Sequence, residues 1–271
     1  MDNLSYQLFE VGHCRHCERV TRQSGRLKST SFPANVALIK HPTKGHILFD
    51  TGYSRRFFDL TKHFPFSLYR YLTPVHLETD LKQQLKQKNI SADSIDYIIL
   101  SHLHADHIGG VQDFPNAKLI LHPDALLQSK QLNRWQGLLR GFLPKLLPDD
   151  YTQRIHPMGE VINLPESLNP FQKGFDLFSD GSIILIELPG HARGQIGAII
   201  NAQPNAFLIA DSCWHIDAIV KDDLPSKITA LVHDNWQQYV QTISDLRQLV
   251  SHNKQIELIP SHCTHTLERL R

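Results

Sequence analysis

Along the chain, short apolar runs bounded by turn residues alternate with stretches whose apolar positions recur every three or four residues. Tyr6 to Val11, Asn35 to Lys40 and His46 to Phe49 read as strands, the last running into Asp50-Thr51-Gly52. Leu77, Leu81 and Leu85 share a four-residue spacing, which predicts an amphipathic helix over 77–88 leading into a strand, Tyr97-Ile98-Ile99-Leu100. Lys118 to Leu121 reads as another buried strand, and Pro123 to Lys130 as a helix with proline in its first turn. The second half returns to strands at Ser182 to Leu188, Ile196 to Asn201, Ala206 to Ala210 and Ile256 to Ile259, with a helix over about 235–250 before the last.

Two halves, each a sheet with outer helices, bury most apolar surface by packing sheet on sheet. The expectation is one α/β domain, a four-layer αββα sandwich. Two stretches depart from that rhythm. Residues 54–77 are aromatic and basic (Phe57, Phe58, Tyr69, Arg70) and read as an excursion over the sheet's edge. A helical insertion at about 124–172 carries Trp135, Leu138, Leu139, Phe142, Leu143, Leu146 and Leu147 on helical spacing; it fills core, forms a substrate lid, or offers a homodimer contact.

Composition narrows the partners. With 28 Lys and Arg against 27 Asp and Glu, the net charge of +1 provides no field for nucleic acid. The start, Met1-Asp2-Asn3-Leu4, has no basic n-region, and no segment approaches the roughly 18 apolar residues of a membrane span, so neither secretion nor membrane insertion is expected. Four scattered cysteines, Cys14, Cys17, Cys213 and Cys263, form no disulfide framework and fit a reducing cytoplasm. Cys14-Arg15-His16-Cys17 has no second Cys-x-x-Cys to complete a zinc site and reads as incidental, whereas Cys263 directly follows a candidate ligand.

The chemistry concentrates at residues 101–110, Ser-His-Leu-His-Ala-Asp-His-Ile-Gly-Gly. His102, His104, Asp106 and His107 follow a buried strand and deliver nitrogen and oxygen donors suited to a borderline metal such as zinc. The chain holds 17 histidines, and those standing singly, including His16, His41 and His233, read as ordinary. Three later strands each end in one more donor: His191 after Leu188-Pro189-Gly190, Asp211 after Ile209-Ala210, and His262 after Pro260-Ser261. Five histidines and two aspartates suffice for two metals with an aspartate shared between them.

The order His-x-His-x-Asp-His, then His, Asp and His, strongly resembles the metallo-β-lactamase superfamily of hydrolases, from about Phe49 to Cys263. The resemblance implies that His102, His104 and His191 hold one metal, that Asp106, His107 and His262 hold the second, and that Asp211 bridges. Two zinc ions are expected, with iron or manganese as alternatives. Asp50 matches the superfamily's aspartate that orients a ligand histidine. Within the superfamily, Asp50-Thr51-Gly52-Tyr53 and His191-Ala192-Arg193-Gly194-Gln195 look most like the acyl-homoserine lactonase group. That group carries a tyrosine three residues beyond the bridging aspartate, where this chain has Trp214, which lacks an ionisable hydroxyl. His215 then stands as a candidate proton donor to the leaving group.

The resemblance implies hydrolysis by a hydroxide shared between the metals, with Asp106 relaying a proton, on a small-molecule lactone, ester or related substrate, and the apolar insertion with the aromatic stretch at 54–71 suggests that the substrate has an apolar part. One alternative is a thioester hydrolase resembling hydroxyacylglutathione hydrolase, with Arg193, Arg269 and Arg271 as basic candidates. Others are an iron-dependent oxidoreductase of the same fold and a metal-holding sensor without rapid chemistry.

Overall fold

Alternation along the strands sorts the apolar side chains into three layers. The computed structural model describes residues 4–269; Met1 to Asn3, part of the terminus read for a leader, and Arg271 lie outside them, and the Arg269 side chain is not described. The first half forms a six-stranded sheet from β1 (Ser5–Cys17), β2 (Ser29–His41), β3 (Gly45–Phe49), β4 (Val75–His76), β5 (Ile95–Ile99) and β6 (Lys118–Ile120), in the order β4-β1-β2-β3-β5-β6. The second half forms another from β7 (Glu160–Asn163), β8 (Lys173–Asp176), β9 (Ile183–Glu187), β10 (Ile196–Ile200), β11 (Ala206–Ala210) and β12 (Glu257–Pro260), in the order β12-β11-β10-β9-β8-β7.

Successive strand residues face opposite ways, so Ile39, Ile47, Phe49 and Ile99 meet Ile183, Leu185, Ala198 and Leu208 between the sheets. Their neighbours Leu38, Leu48, Ile98 and Leu119 face outward and are covered by helices of the first half. These are α2 (Arg55–Leu60), α3 (Ser67–Leu72), α4 (Leu81–Gln87), α5 (Ala105–Ile108) and α6 (Pro123–Gln131), while α1 (Glu18–Thr21) and α7 (Arg134–Leu139) complete the helices of this half. On the other side, α8 (Asp217–Val220) and α9 (Trp236–His252) cover Ile184, Ile186, Phe207 and Ile209, and α10 (Thr264–Arg269) ends the described chain. This is the expected αββα sandwich. Each of these fully buried aliphatic side chains is worth about 1.5–3 kcal/mol relative to exposure.

Local chemistry moves several boundaries. The Asp80 side chain accepts the Gln83 N–H and caps α4, so the helix begins at Leu81 rather than Leu77. Strand β1 extends past Val11 through a bulge between Glu10 and His13 to Cys17, pairing with β2 throughout. Its alternation sets Cys14 and Cys17, three residues apart, on opposite faces. Burial first, and then the charge of Asp106, push the Cys14 thiol up.

Within 124–172, α6 and α7 are followed by short helical turns up to Arg154, and then by β7 at the edge of the second sheet. In Glu160-Val161-Ile162-Asn163 only Ile162 is half-buried and the other three residues are exposed, which is why it carries little strand signal in sequence. Phe142, Leu143, Leu146 and Leu147 are buried in the outer core of the first sheet, whereas Trp135 and Leu139 are 53% and 80% exposed, so the insertion's apolar set divides between core and surface. Among the described residues, no helix is long and apolar enough to cross a membrane.

Candidate metal centre

Strands β1, β3 and β5 run in one direction in the first sheet, as β9, β11 and β12 do in the second. The loops at their carboxyl ends converge on one edge of the sandwich, the usual place for a site in such sheets. His102, His104, Asp106 and His107 leave β5 and its following helix α5, His191 follows β9, Asp211 follows β11 and His262 follows β12. The structure gathers all seven. His102, His104, His191 and Asp211 each offer an atom within 4.8 Å of the others, and Asp106, His107 and His262 do the same beside them.

The histidines are oriented from behind. His107 Nδ1 lies 2.8 Å from Asp50 Oδ2, and His262 Nδ1 lies 2.6 Å from the Pro33 carbonyl. Ser101 Oγ donates to Asp50 Oδ2 at 2.8 Å and so can accept from His102 Nδ1 at 3.0 Å, while the Ser101 N–H donates to Asp50 Oδ1 at 2.8 Å. His191 Nδ1 lies 3.1 Å from His233 Nδ1. Each of these four rings therefore turns Nε2 inward, a tautomer assigned from the hydrogen-bond network. His191 Nε2 lies 3.0 Å from His104 Nδ1 and 3.2 Å from Asp211 Oδ2, and His262 Nε2 lies 3.1 Å from the same oxygen and 3.3 Å from Asp106 Oδ2.

This much lone-pair density in a buried volume calls for cations. His102 Nε2, His107 Nε2 and Asp211 Oδ1 are buried without hydrogen-bond partners, which native interiors rarely tolerate. The residues fit two divalent ions with nitrogen and oxygen ligands, and no cysteine belongs to either group. Cys263 is fully buried and unpaired beside His262.

Electrostatics in the cluster is uneven. Burial, then the neighbouring rings of His107 and His104, hold His102 well below its ordinary range, and burial with His191 does the same to His104. For His107 burial acts downward, but the carboxylates of Asp211, Asp50 and Asp106 outweigh it and raise it well above. Burial acts upward on Asp211, and His262, His107 and His191 overcome it to hold the carboxyl well below its usual range.

Backbone strain sits beside the ligands. Asp50 and Ala210, the residue before Asp211, hold φ of +62° and +48° although neither is glycine. Each such residue costs on the order of 1 kcal/mol and is held there by the surrounding structure.

Two histidines set aside in the sequence lie against the site. His233 touches His191 and is stacked against Tyr239 and Trp214, at centroid distances of 3.9 and 5.3 Å. Burial, and then the charge of His262, hold His16, at the carboxyl end of β1, below its ordinary range, with Asp106 acting the other way. His233 follows no strand and carries no spacing relative to the other ligands, whereas the position of His16 becomes readable once β1 is known to continue to Cys17. The His215 ring faces Arg22, Asp217 and His265, with Nδ1 accepting the Asp217 N–H at 3.1 Å and Nε2 at 3.4 Å from Arg22. Trp214 stands at the site, 6.1 Å from the His191 ring.

Comparison with known proteins agrees with this architecture. Residues 30–197 match the family model described as the metallo-beta-lactamase superfamily. The N-acyl homoserine lactonase AiiB of Rhizobium rhizogenes is 27% identical over 174 residues, 63% of this chain and 58% of AiiB. The gamma-lactamase FDB1 of Fusarium pseudograminearum is 28% identical over 209 residues, 70% of this chain and 46% of FDB1. The chain thus spans only about half the length of these curated relatives. A solved N-acyl homoserine lactone hydrolase with N-hexanoyl-L-homoserine bound at its catalytic metal centre superimposes with a TM-score of 0.74 at 17% identity, covering 98% of this chain and 96% of that one. AidC, a dizinc quorum-quenching lactonase, gives 0.67 at 17% identity, covering 97% and 88%. At these identities the likeness to solved structures is one of fold.

Proposed function

Because this chain belongs to the metallo-beta-lactamase superfamily, we propose that its cluster is the dinuclear centre of a hydrolase that opens a carbonyl ester, with lactones as the first substrate class. The observation that carries this reading is the convergence of seven side chains from both sheets on one buried spot, with three of their polar atoms left unpartnered. His102, His104 and His191 would hold one ion, and Asp106, His107 and His262 the other, with Asp211 between them. Zinc suits this donor set best. Bound there, the ions supply a hydroxide nucleophile at neutral pH and a Lewis acid for the carbonyl oxygen.

The chain's own residues do the rest. Asp50 and Ser101 fix the rings of His107 and His102, and Pro33 fixes that of His262, so the floor of the site is set before substrate arrives. Asp106, with Oδ2 3.7 Å from His107 Nε2 and 3.3 Å from His262 Nε2, is placed to take the proton of the attacking water and pass it to the leaving alkoxide, which departs as an alcohol. The proton relay is assigned to Asp106 rather than to His215, whose ring is held by Arg22 and Asp217. Trp214, in the place of the lactonase tyrosine, supplies an indole wall and an N–H donor.

The test combines elemental analysis with a panel of lactones, thioesters and phosphotriesters. The expected result is about two zinc ions per chain, lactone turnover, loss of turnover on chelation and recovery on adding zinc back. Metal-loaded protein that opens no ester of any kind, or iron-coloured protein that takes up oxygen, overturns the reading.

A further inference from the structure

Beside the cluster, between α6 and the loop carrying His191, lies a cavity of about 460 Å³. Its walls are mostly polar, with Gln128, Gln131, Arg140, Arg193, Asp234 and Asp124 among them and Leu132 the one large apolar side chain. It shares Gln128, Arg140, Arg193 and Asp234 with a constriction of about 20 Å³ that is also lined by His104 and His191. Gly141, at φ +66°, brings the loop after α7 against the His104 ring, and the constriction is spanned by an ion pair, Arg140 Nη1 to Asp234 Oδ1, at 2.6 Å. Both partners are substantially exposed, so parting them costs little.

The charges at this throat do not cancel. Arg140 is neutralised by Asp234, whereas Arg193 is exposed and has no hydrogen-bond or ion-pair partner among the described residues. It follows His191 by two residues and lines the constriction together with His104 and His191. Asp124, the other unpaired charge, lines only the outer cavity and would repel an anion there. Of the insertion's apolar side chains, Leu143, Leu146 and Leu147 are buried in the core and Phe142 reaches only the constriction, whereas the exposed Trp135 and Leu139 line neither cavity.

The geometry points to a substrate that carries a carboxylate a short distance from its scissile carbonyl, recognised by Arg193. This rests on the hydrolase reading and adds the substrate class to it. A guanidinium presents a planar fork that matches a carboxylate with two parallel hydrogen bonds, and a neutral amide of the same shape cannot supply the second charge. A long alkyl chain, by contrast, would lie among glutamines and desolvate them without replacing their hydrogen bonds.

The test uses two lactones of one shape: γ-butyrolactone bearing a carboxylate on its γ-carbon, and the corresponding carboxamide. With zinc-loaded protein, kcat/KM is at least about tenfold higher for the carboxylate. Arg193→Gln brings the ratio towards one, chiefly through KM, and Arg193→Lys keeps part of it. Equilibrium binding of glutarate and glutaramide to the metal-free chain gives a readout without turnover, with glutarate favoured and the preference lost in Arg193→Gln. Equal kcat/KM for the two lactones in the parent, or an undiminished preference in Arg193→Gln, overturns the assignment. If neither lactone is opened, the proposed substrate class fails, the wider ester panel decides the hydrolase reading, and the glutarate measurement decides whether Arg193 forms an anion site.

Discussion

Nδ1 of His191 faces Nδ1 of His233 at 3.1 Å, so one ring must donate and the other accept. His191 is the donor, because its Nε2 is turned to Asp211 and His104. Burial, and then the charge of His191, push His233 down to about 3, which keeps it neutral and able to accept. His233→Phe keeps the stack on Tyr239 and Trp214 but removes the acceptor. Metal affinity, measured by competition with a chelator, is expected to fall about 10- to 100-fold. Partial recovery in His233→Asn separates the hydrogen bond from the packing, and undiminished affinity in His233→Phe would refute the role.

Asp50 accepts from the Ser101 N–H, the Ser101 hydroxyl and His107 Nδ1, all buried. Asp50→Ala strands three donors at once, and the loss of a buried charged partner is expected to cost about 3–5 kcal/mol. Urea denaturation of the metal-free chain reads this directly. A loss under about 1 kcal/mol would mean that water reaches the donors.

His41, far from the site, makes a pH-dependent contribution. Its Nδ1 accepts the Thr43 and Lys44 N–H groups at 3.2 and 3.1 Å, and its Nε2 lies 2.9 Å from Ser182 Oγ. Burial lowers its pKa from the ordinary 6.5. A depressed folded-state value means that the unfolded chain binds the extra proton, so this stability is present above pH 6.5 and is lost as the pH falls through that value. The slope of unfolding free energy against pH below 6.5 should be shallower in His41→Gln than in the parent, by up to about 1.4 kcal/mol per unit. Identical slopes would contradict the assignment.

Gly190 immediately precedes His191, at φ +121°, and a Cβ there would sit 2.0 Å from the Tyr239 backbone nitrogen. The Asn235 and Asp234 N–H groups donate to the carbonyls of Gly190 and His191, tying this loop to the start of α9. Gly190→Ala is expected to destabilise the fold by 2 kcal/mol or more on the order of other strained or overpacked sites, and to weaken the ion held by His191 more than that held by His262. Thermal unfolding and metal stoichiometry check the two effects separately.

Much of the site was legible because its donors sit at strand ends, where an apolar run followed by His or Asp is a readable signature. The αββα layering followed from the same runs, since Leu38-Ile39 and Ile98-Ile99 each supply one side chain to either face. What escaped has physical reasons. His233 reaches the centre from a loop between α8 and α9, with its place set by stacking on Tyr239 across the fold. Strand β7 gains its place from pairing with β8 at the sheet's edge, and its own side chains are largely exposed. The polar character of the cavity depends on which face of the insertion is buried, a matter that helical spacing alone leaves open.

At the metal edge, the two sheets are stitched by backbone bonds: Ile196 N–H to Ser101 O and Asn35 N–H to Ser261 O, both at 2.9 Å. Each stitch lies next to a ligand, His102 in one case and His262 in the other. The main chain therefore holds the donors at their mutual spacing through ordinary amide contacts, much as a socket is moulded before anything is plugged into it. The expected consequence is that removing an ion leaves the sandwich folded, since the spacing of the donors is set by these backbone contacts.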